Sequence, residues 1–211
     1  MQWPAFSVLR RGRGRGVPAV GRVRTRLMTP VDGSALHEVF GALSPSSRYL
    51  RFHAGASRLT AAMERALLDL DGVRHRALIA EVREADRWRP VGIARYVRAA
   101  GTGVGTGVGS GMGSAIGPGI GSGVGTVAEA EVAIEVVDDW QGRGIGLLLL
   151  RQLCAEACRE GVGRLVGTVL PDNRGLMALV RRNFPVAEFG WADGAMTVAI
   201  VTGGTCADAA G

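Results

Sequence analysis

The sequence predicts an α/β fold in which a mixed β-sheet is flanked by helices. Stretches that alternate polar and apolar residues, typical of strands, recur between stretches with the period of an amphipathic helix. The clearest junction joins an apolar strand pattern at 131–137 to an apolar helical pattern at 147–158 through a glycine-rich turn at 141–146. With 211 residues, 47% of them hydrophobic, the chain is long enough for one domain with a sizeable core.

Three amphipathic helices are predicted in the first half of the chain. The first covers 32–43, with Asp32 or Thr29 as its N-cap. The second covers 44–52 and carries a proline in its first turn, where proline is favoured. The third covers 60–70, where apolar residues recur on one face.

Three strands are predicted around these helices. Residues 22–28 alternate arginine with Val, Thr and Leu, which favours a strand with one apolar face. Two apolar runs at 76–82 and 90–97 predict a pair of strands joined by a charged turn at 83–89.

The second half alternates strands and helices. Gly161 would end one helix, and Asp172 or Asn173 would cap the next. The predicted elements are a strand at 128–137, a helix at 145–160, a strand at 164–170, a helix at 174–183 and a closing hairpin of strands at 186–189 and 195–201.

Composition divides the chain into one domain and three weakly patterned segments. We predict a single domain at 21–202, preceded by a basic disordered arm at 1–20 and followed by a small-residue, disordered tail at 203–211. Glycine at nearly every second position of 101–125 predicts a flexible insertion between two strands, because so much glycine costs too much backbone entropy to order.

The charge pattern sets limits on partners. The net charge is +6, and all 25 basic residues are arginine, since the chain has no lysine. The arginines crowded near the N-terminus favour a solvated arm over a nucleic-acid-binding tail, because no aromatic residues are interleaved with them.

The location predicted is the cytoplasm. No apolar run approaches the ~20 residues that span a bilayer, and the N-terminus lacks the pattern of a signal peptide. Three cysteines, an odd number, argue against a disulfide framework and favour a reducing compartment. The cysteines and histidines are too scattered for a metal site, so none is predicted.

The turn at 141–146 predicts an anion site. A glycine-rich turn between a strand and a helix directs backbone N–H groups and the positive end of the helix dipole to one point. A Walker A loop is excluded because it requires a lysine. The dinucleotide-binding fingerprint fails because Leu147 stands where its third glycine is required.

The pattern Gln141-x-x-Gly144-x-Gly146 resembles that of the GNAT superfamily of N-acetyltransferases. The resemblance implies a mostly antiparallel central sheet of six to seven strands, with about four to five helices, and acetyl-CoA as the acetyl donor. It implies cofactor contacts from the strand end, the turn and the start of a later helix, namely Val136, Val137, Gln141, Gly142, Arg143, Gly144, Ile145, Gly146 and Asn173.

Three glutamates on the preceding strand suggest the catalytic base. Glu129, Glu131 and Glu135 share one face by the period of a strand, and that face is either a wet cleft or simply a solvated surface. The resemblance makes Glu131 the general base and Glu135 the second choice, which could instead orient the amine. The helix at 174–183 offers no tyrosine as a general acid.

The acceptor is encoded less clearly. Upstream residues, including Ser44, Ser47, Tyr49 and Arg51, are similar to the bacterial protein-lysine acetyltransferase branch, which implies a protein lysine as acceptor. A small amine or antibiotic, a non-catalytic acyl-CoA-binding module and an arginine-rich nucleic-acid binder stay open as alternatives. A homodimer is kept open as the oligomeric state. No membrane partner is predicted.

Overall fold

The computed structural model describes residues 22–52, 57–98, 127–192 and 195–203. The predicted arm at 1–20, the glycine-rich insertion at 101–125 and nearly all of the tail at 203–211 lie outside these residues. The strands are β1 (Val23–Leu27), β2 (His75–Glu84), β3 (Arg87–Arg98), β4 (Glu129–Val136), β5 (Arg164–Val169), β6 (Glu188–Ala192) and β7 (Ala195–Val201). The helices are α1 (Gly33–Ala42), α2 (Pro45–Phe52), α3 (Ala61–Leu68), α4 (Ile145–Arg159) and α5 (Arg174–Asn183), with a 3-10 turn at Asp138–Trp140.

The predicted α/β fold is confirmed as one seven-stranded mixed sheet with the strand order β1-β2-β3-β4-β5-β7-β6. All neighbouring strands are antiparallel except β4 and β5, which are parallel. The crossover between β4 and β5 contains α4, as a parallel pair requires. The sheet is therefore mostly antiparallel, with a single parallel step at its centre.

The helices cover both faces of the sheet. On one face α4 packs on β2, β3 and β4. Gly92 lets α4 lie close to the sheet, because a Cβ at this position would lie 3.1 Å from Leu149 Cδ1. On the other face Arg95 of β3 reaches the carbonyl oxygen of Leu67 in α3, and Glu135 of β4 contacts α2. The buried apolar side chains of α4, such as Leu153, join the strands in one core.

The hairpin between β2 and β3 corrects one predicted turn. The charged segment 83–89 is mostly strand, because Arg83 pairs with Trp88 and Glu84 pairs with Arg87 in the ladder. The turn itself is only Ala85–Asp86, and Ala85 has a positive φ of 48°. Charged residues are stable in these strand ends because their side chains are partly exposed or paired with each other, as Arg89 is with Glu84.

The cysteines differ in state. Cys154 is a free, buried thiol, and burial raises its pKa to about 12. Cys158, one helical turn later, is disulfide-bonded, although the odd number of cysteines argued against a disulfide framework. None of the helices in the four described stretches is long and apolar enough to cross a membrane.

Candidate active site

The turn between β4 and α4 depends on two glycines. Gly142 has a φ of 69° and Gly144 a φ of 85°, in the left-handed region that other residues enter only with strain. A Cβ at either position would meet nothing within 4 Å, so backbone conformation, rather than lack of space, selects glycine here. Gly144 is also the N-cap of α4 and has no side chain to cap the helix.

This turn presents a row of backbone N–H groups without protein acceptors. Within the described stretches, no acceptor is bound by the N–H groups from Gly142 to Leu147. The first N–H with a partner is that of Leu148, which donates to Gly144 O at 3.0 Å. Because these donors lie at the positive end of a 15-residue helix, the turn suits an anion such as a phosphate or pyrophosphate.

The strand before the turn has an unpaired edge. The ladder between β4 and β5 joins only residues 129–131 to residues 164–166, although β4 continues to Val136 and β5 to Val169. Gly167 lets β5 pass close to β4 just after the last ladder pair, because a Cβ at this position would lie 3.1 Å from Val132 Cγ1. Beyond this point no ladder bonds join β4 to β5 in the described stretches, although residues 132–136 still pair with β3. We call these residues, which are open on the β5 side, the unpaired end of β4.

The two valines predicted to bind the cofactor face opposite ways. The N–H of Val137 donates to Val91 O at 2.9 Å and is therefore engaged by β3. Backbone polar groups alternate in direction along an antiparallel strand, so the polar groups of Val136 point towards the unpaired side. Gln141 Nε2 donates to Val136 O at 2.9 Å, which leaves the N–H of Val136 as the polar group available there.

The other predicted contacts lie around the same end of α4. A Cβ on Gly146 would lie 3.3 Å from Leu179 Cδ1, so this glycine lets α5 pack beside the turn. Asn173 caps α5 by accepting a hydrogen bond from the Leu176 N–H at 3.2 Å. The Arg143 guanidinium stacks over the Trp140 ring at 4.7 Å, and its buried Nη1 has no hydrogen-bond partner among the described residues.

The three glutamates of β4 differ in their partners. Glu129 lies 3.3 Å from Arg164 Nη1, and Glu135 lies 2.5 Å from Arg51 Nε. Glu131 is exposed, and no cationic side chain in the described ranges pairs with it. Of the three carboxylates, Glu131 is the one free to accept a proton from a substrate.

Glu135 belongs to a buried ion cluster. Its carboxylate contacts Arg51 of α2 and lies 3.7 Å from Arg95 Nη2, with the side chains of Glu135 and Arg95 each 4% exposed. Burial lowers the pKa of Arg95 to about 10, against the opposing effect of Glu135. Because two arginines contact this one carboxylate, its oxygens are engaged in holding α2 against the sheet.

Sequence reasoning did not assign Arg95 to this site. Its partner Glu135 lies 40 positions further along the chain, and only the pairing of β3 with β4 brings the two together. Arg51 appeared in the motif of the upstream segment, but without a role. No cluster of His, Cys, Asp or Glu in the described part of the chain could hold a metal ion.

Comparison with known proteins points to one family. A family model described as the acetyltransferase (GNAT) family matches residues 84–184. An acetyltransferase of Pseudomonas aeruginosa is 26% identical over 157 residues, which cover 74% of this chain and 71% of that protein. The crystal structure of the GNAT domain of S. lividans PAT matches with a TM-score of 0.66 and 27% identity, over 86% of this chain and 91% of that chain. Residues 84–184 therefore match the GNAT acetyltransferase family, and the described part of the chain has a GNAT-like fold.

The GNAT fold also recurs in more distant structures. That of yncA from Salmonella typhimurium, solved with its cofactor acetyl-CoA, matches with a TM-score of 0.58 at 14% identity, over 85% of this chain and 94% of that chain. The family match contains β4, the turn and α5, but not α2. Helix α2 therefore lies outside the residues that the family model matches.

Proposed function

We propose that the GNAT domain transfers the acetyl group of acetyl-CoA to a primary amine. The observation that carries the proposal is the row of unpartnered N–H groups from Gly142 to Leu147, beside the unpaired end of β4. In this proposal the turn binds the pyrophosphate of coenzyme A, and the Val136 N–H binds the pantetheine arm as a neighbouring strand would. Asn173, at the start of α5, contributes a further contact.

Glu131 serves as the general base. A lysine ammonium has an ordinary pKa of about 10.4, so it must lose a proton before it can attack a thioester at neutral pH. Glu131 takes this proton, directly or through a water molecule. The neutral amine nitrogen then forms a bond to the acetyl carbon, the bond between that carbon and sulfur breaks, and the nitrogen loses its second proton to water to give the amide.

The leaving group departs as a thiolate. The described residues of α5 include no tyrosine, Tyr96 is buried in the core, and Tyr49 is exposed on α2. A thiol has an ordinary pKa of about 8.5, low enough for coenzyme A to leave without a general acid. The proposal therefore assigns no acid to this site.

The acceptor we propose is a protein lysine. It is supported by the resemblance of the upstream segment to protein-lysine acetyltransferases and by the exposed carboxylate of Glu131, which attracts a cationic side chain. A small amine or antibiotic is the second candidate, since the same carboxylate would suit it. The cytoplasmic location and the homodimer remain predictions.

The test is acetyl transfer by wild type, Glu131→Gln and Glu129→Gln. Glu129→Gln is the matched control, because it changes the same residue type on the same strand face two residues away. Acceptors are a blocked lysine peptide, a polyamine and an aminoglycoside. The chain has no lysine, so acetylation of its own side-chain amines cannot add background.

We expect Glu131→Gln to lower kcat/KM by about 10²- to 10⁴-fold, the usual contribution of a general base, with acetyl-CoA affinity retained. Glu129→Gln should stay close to wild type. Equal activity of the two variants would show that Glu131 is not the base. Tight acetyl-CoA binding without turnover on any amine would favour the non-catalytic module instead.

A further inference from the structure

Helix α2 is tied to the strand end that leads into the cofactor turn. The N–H and hydroxyl of Ser44 donate to Asp138 Oδ2 at 2.9 Å and Oδ1 at 2.8 Å. The hydroxyl of Ser47 donates to the same Oδ1 at 2.8 Å. Three donors from the start of α2 thus converge on one carboxylate that lies more than 90 positions away in the chain.

The link continues into the cofactor turn through Gln141. Its Nε2 donates to Ser47 Oγ at 3.3 Å and to Val136 O at 2.9 Å. Asp138 and Gln141 are also joined directly, because the Gln141 N–H donates to Asp138 O at 3.1 Å. Hydrogen bonds therefore connect the turn to the start of α2 through Gln141 and Asp138.

The carboxylate of Asp138 is well suited to its position beside the N-terminal end of α2. Ser44 is the residue before α2, and its hydroxyl accepts a hydrogen bond from the Ser47 N–H at 3.2 Å, as an N-cap does. Asp138 adds a negative charge at this positive helix end. Desolvation opposes ionisation of Asp138, but the hydrogen bonds from Ser44 and Ser47 outweigh it and hold the pKa below its ordinary value.

We propose that Asp138 is a positioning residue that couples coenzyme A binding at the turn to the placement of α2. The inference rests on the proposed function, since it takes the turn to be the coenzyme A site. Binding orders residues 141–146, and the hydrogen bonds of Asp138 and Gln141 carry this order to Ser44 and Ser47. Arg51, at the far end of α2, is held separately by Glu135.

The test is amide hydrogen exchange of the full chain with and without coenzyme A. Variants are Asp138→Ala and, as matched control, Ser46→Ala, whose hydroxyl contacts that of Ser44 but not Asp138. In wild type and in Ser46→Ala, coenzyme A should slow exchange at 142–147 and, by at least about fivefold, in α2. In Asp138→Ala, the slowing at 142–147 should remain, and that in α2 should be lost.

The ligand-free exchange of α2 separates coupling from a structural role. Without Asp138, α2 keeps the bonds of Arg48 to the carbonyl oxygens of Phe40 and Ser57, and its contact with Glu135, so it should stay folded. The proposal is overturned if ligand-free Asp138→Ala exchanges in α2 like an unfolded segment, if it retains the wild-type response of α2, or if wild-type α2 does not respond. Absence of protection at 142–147 in every protein would instead reject the coenzyme A site itself.

Discussion

Replacement of Gly144 by alanine tests the conformation of the turn with one added methyl group. An L-residue held at a φ of 85° costs about 1–2 kcal/mol relative to glycine. The added Cβ meets no atom within 4 Å, so no clash adds to this strain. If the variant keeps the left-handed turn, the strain lowers its free energy of unfolding. If the turn instead relaxes in the free protein, it must return to the strained conformation when acetyl-CoA binds, and the affinity for acetyl-CoA falls.

The two losses in Gly144→Ala are linked and should sum to about 1–2 kcal/mol, because they connect the same unfolded and acetyl-CoA-bound states. Expressed wholly as affinity, this is a five- to thirtyfold weaker Kd, at about 1.4 kcal/mol for each factor of ten. Chemical denaturation gives the unfolding term, and calorimetric titration with acetyl-CoA gives the binding term.

Gly175→Ala is the matched control. Gly175 lies in the first turn of α5, has no φ in the left-handed region, and has open space around its Cβ position. Alanine there should leave stability unchanged or raise it by up to about 1 kcal/mol, without an effect on binding. If Gly144→Ala matches wild type in both measurements, the left-handed turn is not the bound conformation and the site argument fails.

Two further predictions concern stability. Glu135→Leu leaves the buried Arg95 and the half-buried Arg51 without their shared carboxylate, so the free energy of unfolding should fall by about 3–5 kcal/mol in urea denaturation; a loss under 1 kcal/mol would contradict the ion cluster. Hydrogen bonds from Arg26 lower the pKa of Asp32 to about 2 from 3.8, so the folded state gains stability from this carboxylate above about pH 4 and loses it as the pH falls towards 2. Asp32→Asn should flatten that part of the curve of stability against pH, and an unchanged curve would refute the assignment.

Local patterns were enough to predict most elements of the fold. The bounds of α5 and β7 agree with the prediction, because an amphipathic helix with an Asn173 cap and a short apolar strand are both specified by neighbouring residues. The turn between β2 and β3 was placed too widely because seven mostly polar residues look like a loop. Their cross-strand partners, which stabilise them in strands, become visible only when the register is known.

The candidate site likewise combines features that local sequence predicts with features that depend on distant residues. The turn is a local feature, since the spacing of Gly142, Gly144 and Gly146 specifies its backbone within six residues. The roles of Glu135 and Asp138 were not predictable, because their partners on α2 lie 84 and 91 or more positions away. Strand alternation placed Glu135 on the same face as Glu131, but only tertiary contacts show that the first is paired and the second is free.

The most direct test of the central claim is a calorimetric titration of the full chain with acetyl-CoA, with NADH and ATP as controls. If the N–H groups of residues 142–147 and the unpaired end of β4 form an acetyl-CoA site, acetyl-CoA should bind with one-site stoichiometry. NADH and ATP should produce no comparable heat at the same concentrations. Failure of acetyl-CoA to bind, or equal binding of ATP, would contradict the account.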